Sequence, residues 1–137
     1  MDTGIILHIQ AIDGPRHDMT FAMAAIKKIK PYKPKYIVAD KTYDSEKLRK
    51  YINEELNAQD QIPTRGSKVK KGKYRKQSQK TFEKKKYNKR NRVESIFSVI
   101  KRKFGGANKS RSIKLRNKET KLKCTIYNII QQIKITT

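Results

Sequence analysis

The chain has 137 residues, and its 35 Lys and Arg against 12 Asp and Glu give a formal net charge of +23 at pH 7. Its hydrophobic content is 35%, and the apolar residues fall in periodic blocks, which excludes a wholly disordered polymer. One cysteine excludes a disulfide framework, and no apolar run is long enough to cross a bilayer, so we expect a cytoplasmic location.

The first three predicted elements are a strand, a helix and a strand. Residues 4–12 read GIILHIQAI, an apolar and β-branched run that predicts a strand in which His8 faces the core or the sheet. The letters DTG before it are typical of a hairpin turn. Residues 19–29 repeat apolar side chains at every fourth position, which predicts a helix. The run KYIVAD then predicts a short buried strand that ends at Asp40.

A second helix is predicted over Ser45–Asn57. Asp44 or Ser45 can cap its first turn, because both side chains accept hydrogen bonds from exposed backbone N–H groups. Apolar side chains follow at every fourth position, which is typical of a helix with one buried face. The run DQIPTR after it predicts a short strand-like segment.

The charge balance changes after this point. Residues 1–63 carry 10 Lys and Arg and 9 Asp and Glu, a net charge of +1, whereas residues 64–137 carry 25 and 3, a net charge of +22. This asymmetry predicts a polyanionic partner, and nucleic acid is the commonest one. Residues 64–86 show no hydrophobic period and are interpreted as a basic loop or linker.

Periodicity returns in the last part of the chain. One helix is predicted from Tyr87 to Phe104, where two glycines end it, and another over Lys118–Ile135 with Cys124 in its core face. The order of elements predicts an α/β fold with a mixed sheet flanked by helices.

The helix predicted over residues 87–104 has two neighbouring faces on an ideal helical wheel. The apolar face spans about 100° and the polar face about 60°. The apolar face consists of Val93, Ile96, Phe97, Ile100 and Phe104, and the polar face consists of Tyr87, Arg90, Glu94 and Lys101. One interpretation of the polar face is an ordinary ion pair between Arg90 and Glu94, four residues apart. The other is a functional site at the rim of the core.

The spacing of Tyr87, Arg90, Glu94 and Lys101 resembles the Tyr-Arg-Glu-Lys signature of DDE transposases from bacterial and archaeal insertion sequences, most closely those of types 4 and 5. The block ADKTYDSEKLRKYI resembles the segment around the second catalytic aspartate of that family, which makes Asp40 its match. The runs RHDMTFA and IPTR resemble two further family segments, so that the likeness extends over nearly the whole chain.

The resemblance implies an RNase H-like fold and metal-dependent cleavage and transfer of DNA strands during transposition. In such sites three carboxylates hold two or more divalent ions that activate the attacking oxygen and stabilise the leaving oxygen. Asp40 and Glu94 match two of these carboxylates, and hard oxygen ligands suit Mg²⁺ or Mn²⁺. The resemblance further implies that Tyr87, Arg90 and Lys101 contact the DNA backbone near the cut.

The chain departs from the family in its first segment. The family's first catalytic aspartate precedes the hairpin that DTG resembles, and neither Asp2 nor Asp13 stands at the matching position. We therefore expect an incomplete RNase H-like fold without its first strands, inactive alone. Residues 1–63 are interpreted as a partial core that holds Asp40, and residues 87–137 as the helices of the same domain that hold Glu94.

Two hypotheses follow from these observations. In the first, the chain is a C-terminal, truncated part of a transposase that binds DNA at the nucleoid and associates with itself or with the missing N-terminal part. In the second, it is a basic nucleic-acid-binding protein without catalytic activity, as its net charge alone would suggest.

Overall fold

The computed structural model describes residues 3–10 and 18–137. It divides the chain into a central unit of residues 17–91 and a terminal unit of residues 1–16 and 92–137. Two short strands and six α-helices are present in the described residues. They are α1 (Asp18–Ile29), β1 (Tyr36–Val38), α2 (Glu46–Glu54), β2 (Gln59–Gln61), α3 (Lys73–Thr81), α4 (Lys84–Tyr87), α5 (Asn91–Phe104) and α6 (Ile113–Thr136).

The central unit is built on a parallel pair of strands. β1 and β2 pair with Tyr36 opposite Gln59 and Val38 opposite Gln61. The architecture is therefore α/β and mostly helical. The prediction of a mixed sheet is wrong for the described strands, because the two of them run parallel to each other. Apolar side chains from α1, α2 and the strands form one core. Its buried members are Ile26, Leu48, Ile52, Leu56, Ala58 and Ile62.

Local sequence signals account for α2. The hydroxyl of Ser45 accepts a hydrogen bond from the Leu48 N–H at 3.5 Å, so Ser45 is the N-cap, as predicted. Leu48 and Ile52 are fully buried on the same helix face. The helix ends at Glu54, three residues before the predicted end, and Asn57 then adopts the left-handed conformation that closes the turn into β2.

The prediction of a basic loop or linker over residues 64–86 is wrong, because the whole of α3 and the first three residues of α4 lie within it. The Glu46 carboxylate of α2 accepts hydrogen bonds from the backbone N–H groups of Tyr74 and Arg75 at 2.8 and 3.0 Å. These groups belong to the first turn of α3, so a side chain of another helix satisfies donors that a local cap would otherwise bind. Tyr74 and Ser78, four residues apart, form the buried face of α3.

The first segment of the terminal unit is not a strand. Residues 3–10 have no regular secondary structure, so the predicted strand is wrong for residues 4–10; residues 11 and 12 lie outside the described residues. The side-chain amide of Asn128 on α6 accepts from the Ile6 N–H at 2.9 Å and donates to the Ile6 carbonyl at 2.7 Å. His8 is exposed, which contradicts its predicted place in the core or on a sheet.

Other predictions for the N-terminal part concern residues that are not described. The hairpin turn at DTG includes Asp2, and the loop after the predicted strand includes Asp13 and His17. All three residues lie outside the described residues.

Two helices form the core of the terminal unit. Its buried side chains are Ile100 of α5 with Cys124 and Tyr127 of α6, which confirms the predicted place of Cys124. Burial raises the pKa of the Cys124 thiol. α6 begins five residues before its predicted start and ends one residue beyond its predicted end. No helix within the described residues is long and apolar enough to pass through a membrane.

The helix predicted over residues 87–104 is interrupted. Tyr87 is the last residue of α4, a 3₁₀ turn follows at Asn88–Arg90, and α5 starts at Asn91. The predicted end is confirmed: Gly105 has φ 82° and donates to the Lys101 carbonyl at 2.9 Å. Two residues of the predicted apolar face, Val93 and Phe97, are exposed, while Ile96, Ile100 and Phe104 are at least partly buried.

Candidate active site and nucleic-acid interface

Asp40 lies two residues after the end of β1, at the start of a 3₁₀ turn at Lys41–Tyr43. Its carboxylate accepts hydrogen bonds from the Thr42 hydroxyl and from the Thr42 N–H at 2.8 Å, so Asp40 is the N-cap of that turn. The Thr42 hydroxyl, with help from its N–H and from Arg90, lowers the pKa of Asp40 against the opposing effect of partial burial. The carboxylate is therefore ionised at neutral pH.

One residue of the four-residue signature, Arg90, lies beside Asp40, and a second, Tyr87, lies beside Arg90. A guanidinium nitrogen of Arg90 is 3.9 Å from the free Oδ2 side of the Asp40 carboxylate. The same guanidinium lies 5.9 Å from the centre of the Tyr87 ring. Three of the predicted site residues thus form one group within the central unit, with Arg90 in the middle.

Two lysines extend this group and were not predicted. The Nζ atoms of Lys86 and Lys89 lie 5.8 and 5.6 Å from the centre of the Tyr36 ring on β1, and Lys89 also donates to the Tyr36 hydroxyl at 2.9 Å. A cation above an aromatic ring is attracted by the negative face of the ring. In the sequence these lysines are only part of a basic run, and Tyr36, which orders them, lies 50 residues before Lys86 and 53 before Lys89.

Glu94 and Lys101 lie on α5, in the terminal unit. Glu94 is in the first turn, where its negative charge complements the helix dipole, and Lys101 is in the last turn, where a positive charge does the same. Both side chains are exposed. The closeness of Asp40 and Glu94 stays a prediction.

Asp44 is the second unpredicted part of the site. One carboxylate oxygen accepts from Arg49 at 2.9 and 3.2 Å and from Arg75 at 3.0 Å. The other accepts from Arg75 at 2.8 Å and from the Arg65 N–H at 2.7 Å. Burial alone would raise the pKa of Asp44, but the hydrogen bonds from Arg75, Arg65 and Arg49 outweigh it and lower the pKa to about 2.

Arg65 connects this cluster to the turn that holds Asp40. Its guanidinium donates to the carbonyls of Lys41 and Thr42 at 3.2 and 3.1 Å. The turn around Asp40 is therefore bound to the start of the basic segment through the backbone and side chain of one arginine. Thus some of the positive charge in residues 64–92 serves the fold and is not available to a polyanion.

Arg49 lies at the centre of the buried polar contacts. Its guanidinium bonds Asp60 and Ser78 as well as Asp44, and it donates to the Ile62 carbonyl at 2.9 Å. The Asp60 carboxylate also accepts from Asn53 at 2.8 Å. Arg49, Asp60 and Ser78 are buried, so one cation joins α2, β2 and α3 in the interior of the central unit.

The outer side of α3 carries a row of lysines. Lys73, Lys76 and Lys80 fall within about 60° on an ideal helix, on the side opposite the buried Tyr74 and Ser78. All three are exposed. We refer to Lys73, Lys76 and Lys80 as the lysine face. Because Glu46 and Arg49 fix α3 from the other side, this charge is held on an ordered helix rather than on a loop.

A metal ion needs several hard ligands at one point, and the described residues contain no group of three or more His, Cys, Asp or Glu side chains that could hold one. Asp40 fits as a single ligand, because it is ionised and only one of its oxygens is occupied by Thr42.

The family model described as "Transposase DDE domain" matches residues 1–129 of the chain. No significant match was found among curated proteins or among solved structures.

Proposed function

Since this chain belongs to the Transposase DDE domain family, we propose that it contributes two catalytic carboxylates and a DNA-binding surface to the cleavage and transfer of DNA strands during transposition. Within the family we assign it to the insertion-sequence types 4 and 5, from the spacing of Tyr87, Arg90, Glu94 and Lys101. The observation that supports the proposal most is the group of Asp40, Arg90 and Tyr87. An ordinary ion pair between Arg90 and Glu94 would not require Arg90 to approach Asp40.

The carboxylates of Asp40 and Glu94 are the proposed ligands of divalent ions, Mg²⁺ or Mn²⁺. When bound, such ions lower the pKa of the attacking water or 3′-hydroxyl and stabilise the leaving oxygen. Asp40 is suited to this role because Thr42 keeps it ionised and orients it. Arg90 balances the charge of Asp40, and its planar guanidinium could bind a DNA phosphate with two hydrogen bonds.

The remaining contacts to DNA are assigned to basic and aromatic side chains. Tyr87 orients the Arg90 guanidinium, and Lys101 adds a point charge near the cut. The lysine face of α3 would follow the phosphate backbone further from the cut, without reading sequence. A DNA substrate implies that the chain acts at the nucleoid.

We further propose that the chain is a C-terminal part of a transposase, with an incomplete RNase H-like core, and is inactive alone. Two carboxylates leave one of two ions short of ligands, and Mg²⁺ requires nearly octahedral oxygen coordination. A third carboxylate would come from an additional segment or from another chain. A basic nucleic-acid-binding protein without catalysis is the second candidate function, and the ordered lysine face favours it independently of Asp40.

Strand cleavage tests the first candidate directly. The chain is incubated with Mg²⁺ or Mn²⁺ and DNA that carries the ends of the element, alone and as a longer chain that adds an upstream strand with an aspartate. We expect cleavage only by the longer chain, and loss of that cleavage in Asp40→Ala and in Glu94→Ala. Cleavage by the chain alone, abolished by either substitution, would disprove the proposed inactivity.

Metal binding gives a measurement that does not depend on activity. Titration of the chain with Mn²⁺, followed by electron paramagnetic resonance, should show weak binding that Asp40→Asn reduces. Glu55→Gln is the matched control, because Glu55 is an exposed carboxylate of the central unit, paired with Lys30 at 3.3 Å. DNA binding without cleavage by the longer chain, together with Mn²⁺ binding unchanged in Asp40→Asn, would favour the non-catalytic candidate.

A further inference from the structure

The peptide group between Lys41 and Thr42 is held by hydrogen bonds at both of its ends. Its N–H belongs to Thr42 and donates to the Asp40 carboxylate at 2.8 Å. Its carbonyl belongs to Lys41 and accepts from Nε of Arg65 at 3.2 Å. A second guanidinium nitrogen of Arg65 donates to the Thr42 carbonyl at 3.1 Å. One planar side chain thus spans two consecutive carbonyls of the turn that begins at Asp40.

These bonds bear on the orientation of the Asp40 carboxylate. A hydrogen bond to the carbonyl of a peptide group polarises that group and strengthens the bond that its N–H makes. The guanidinium is charged and rigidly planar, so its two bonds fix direction as well as distance. The Thr42 hydroxyl donates to the same carboxylate oxygen as the Thr42 N–H. One oxygen of Asp40 is therefore fixed by the turn, and the other, Oδ2, lies 3.9 Å from Arg90.

The backbone of Arg65 is itself attached to a buried group. Its N–H donates at 2.7 Å to Asp44, whose side chain is fully buried and also pairs with Arg49 and Arg75. The next residue, Gly66, has φ 87°, a conformation that favours glycine, and the chain bends there. Asp44 thus provides a fixed support from which the Arg65 side chain reaches a turn 23 and 24 residues earlier in the sequence.

We propose that Arg65 is a positioning residue for Asp40, and that it holds the Lys41–Thr42 peptide so that the carboxylate offers Oδ2 to a divalent cation. The inference rests on the proposed role of Asp40 as a metal ligand. By charge alone, an arginine beside a cation site would weaken metal binding, because like charges repel. Orientation has the opposite effect, since a ligand that is already fixed loses less freedom when the ion binds. The two possible effects of Arg65 on metal affinity therefore differ in sign.

Binding of Mn²⁺, followed by electron paramagnetic resonance, measures that sign. The binding that depends on Asp40 is the part that Asp40→Asn removes. It should weaken about fivefold in Arg65→Gln, which corresponds to two hydrogen bonds at the weak end of their usual range. Arg65→Lys keeps the charge but cannot span two carbonyls in one plane, so it should weaken this binding as well. Both variants retain the backbone N–H that bonds Asp44.

Lys68→Gln is the matched control, because it removes an exposed charge from the same segment. It should leave the Mn²⁺ affinity unchanged or slightly higher. Tighter Mn²⁺ binding in Arg65→Gln, or full affinity in Arg65→Lys, would overturn the proposal, because either result would mean that Arg65 acts through its charge.

Amide hydrogen exchange, measured by nuclear magnetic resonance, tests the positioning without any metal. The Thr42 N–H should exchange about fivefold faster in Arg65→Gln than in the unchanged chain. The Tyr74 N–H, which donates to Glu46 at 2.8 Å, is the internal control and should keep its rate. An unchanged rate at Thr42 would overturn the proposal, and so would equal acceleration at Thr42 and Tyr74, which would show a general loss of stability. If the unchanged chain shows no Mn²⁺ binding that depends on Asp40, the proposed function fails, while faster exchange at Thr42 alone would still support the positioning of Asp40 by Arg65.

Discussion

The two units of the chain bury their interiors in different ways. The central unit combines six buried apolar residues with a cation, Arg49 of α2, that bonds an acidic group of β2 and a hydroxyl group of α3. The terminal unit has three buried residues in its core, and its longest helix leaves Leu115, Leu122, Ile129 and Ile133 exposed along one narrow stripe. The central unit therefore satisfies its polar groups and covers its apolar ones, whereas the terminal unit offers apolar surface that a further partner can cover.

The comparison also separates two uses of positive charge. In the central unit Arg49, Arg65 and Arg75 are engaged by Asp44 and by backbone carbonyls, and they hold the basic segment on the turn around Asp40. The lysine face projects outward from the same segment. A high net charge thus does not measure the capacity to bind a polyanion, because the arginines contribute to folding and the lysines remain accessible.

The largest change in stability is expected when the buried cation Arg49 is removed. Arg49→Met should lower the free energy of unfolding of the central unit by about 3–5 kcal/mol, because it leaves the Asp60 carboxylate buried with Asn53 as its remaining partner. Urea titration followed by circular dichroism measures the change. Lys50→Met, one residue along on the exposed side of α2, should change stability by about 0.5 kcal/mol or less.

A second variant distinguishes a charge effect from a packing effect at this position. If the unpaired carboxylate causes the loss, Arg49→Met combined with Asp60→Asn should recover part of the stability. Equal stability of Arg49→Met and the unchanged chain would show that the buried contacts of the central unit contribute little, and the contrast between the two units would lose its basis.

The next largest difference in stability is expected between two isoleucine-to-alanine variants, one in each unit. Ile52 is completely buried on α2, and Ile129 is 55% exposed on α6. Ile52→Ala should cost about 2–5 kcal/mol, since it removes apolar contacts and leaves a cavity. Ile129→Ala should cost about 0.5 kcal/mol or less at concentrations where the chain is monomeric. A large loss for Ile129→Ala under those conditions would mean that its side of α6 is already covered within the chain.

Local patterns predicted the elements that local contacts specify. α2 was foreseen because its cap, Ser45, and its buried residues, Leu48 and Ile52, lie within one stretch of sequence. α3 was missed because Glu46, which caps it, lies 28 residues before Tyr74, and because its buried face contains Tyr74 and Ser78 rather than an apolar repeat. Where a helix depends on another helix for its cap, its own sequence resembles a loop.

The candidate site was predictable to a similar extent. Motif spacing led to Asp40, Tyr87 and Arg90, which the structure groups together. Nothing in the sequence distinguished Arg49 from its neighbours, since an arginine on an amphipathic helix is usually solvent-exposed. The predicted polar face of residues 87–104 assumed one continuous helix, whereas a 3₁₀ turn at Asn88–Arg90 separates Tyr87 from Glu94 and Lys101 of α5. A hydrophobic repeat in a sequence identifies the apolar side of a helix, but it does not show which other part of the protein covers that side.

Acid should weaken the central unit through Asp44. Its pKa is about 2 in the folded chain against an ordinary value of 3.8. A lowered carboxyl pKa stabilises the fold fully above the unfolded value, and that contribution disappears as the pH falls from about 4 to about 2. The shift corresponds to about 2 kcal/mol. Unfolding curves at several pH values should therefore show that Asp44→Asn is less stable than the unchanged chain at pH 6, and that the gap closes towards pH 2. A gap independent of pH would assign the loss to packing.

The smallest expected effect is on the affinity of the lysine face for DNA and on its dependence on salt. Each phosphate contact releases condensed counterions, so the logarithm of the affinity for random duplex DNA should fall linearly with the logarithm of the salt concentration. Because Lys76 is the middle lysine of that face along the helix axis, Lys76→Gln should reduce the slope by about 0.9, which at about 0.1 M salt is roughly an eightfold loss of affinity. Lys47→Gln on α2 removes the same charge from a different surface of the central unit, and it should leave the slope unchanged. Fluorescence anisotropy from about 50 to 200 mM salt measures both. An affinity of the unchanged chain that does not vary with salt would exclude nucleic acid as its polyanion, and equal slopes for the two variants would show that the charge acts through the whole molecule rather than through α3.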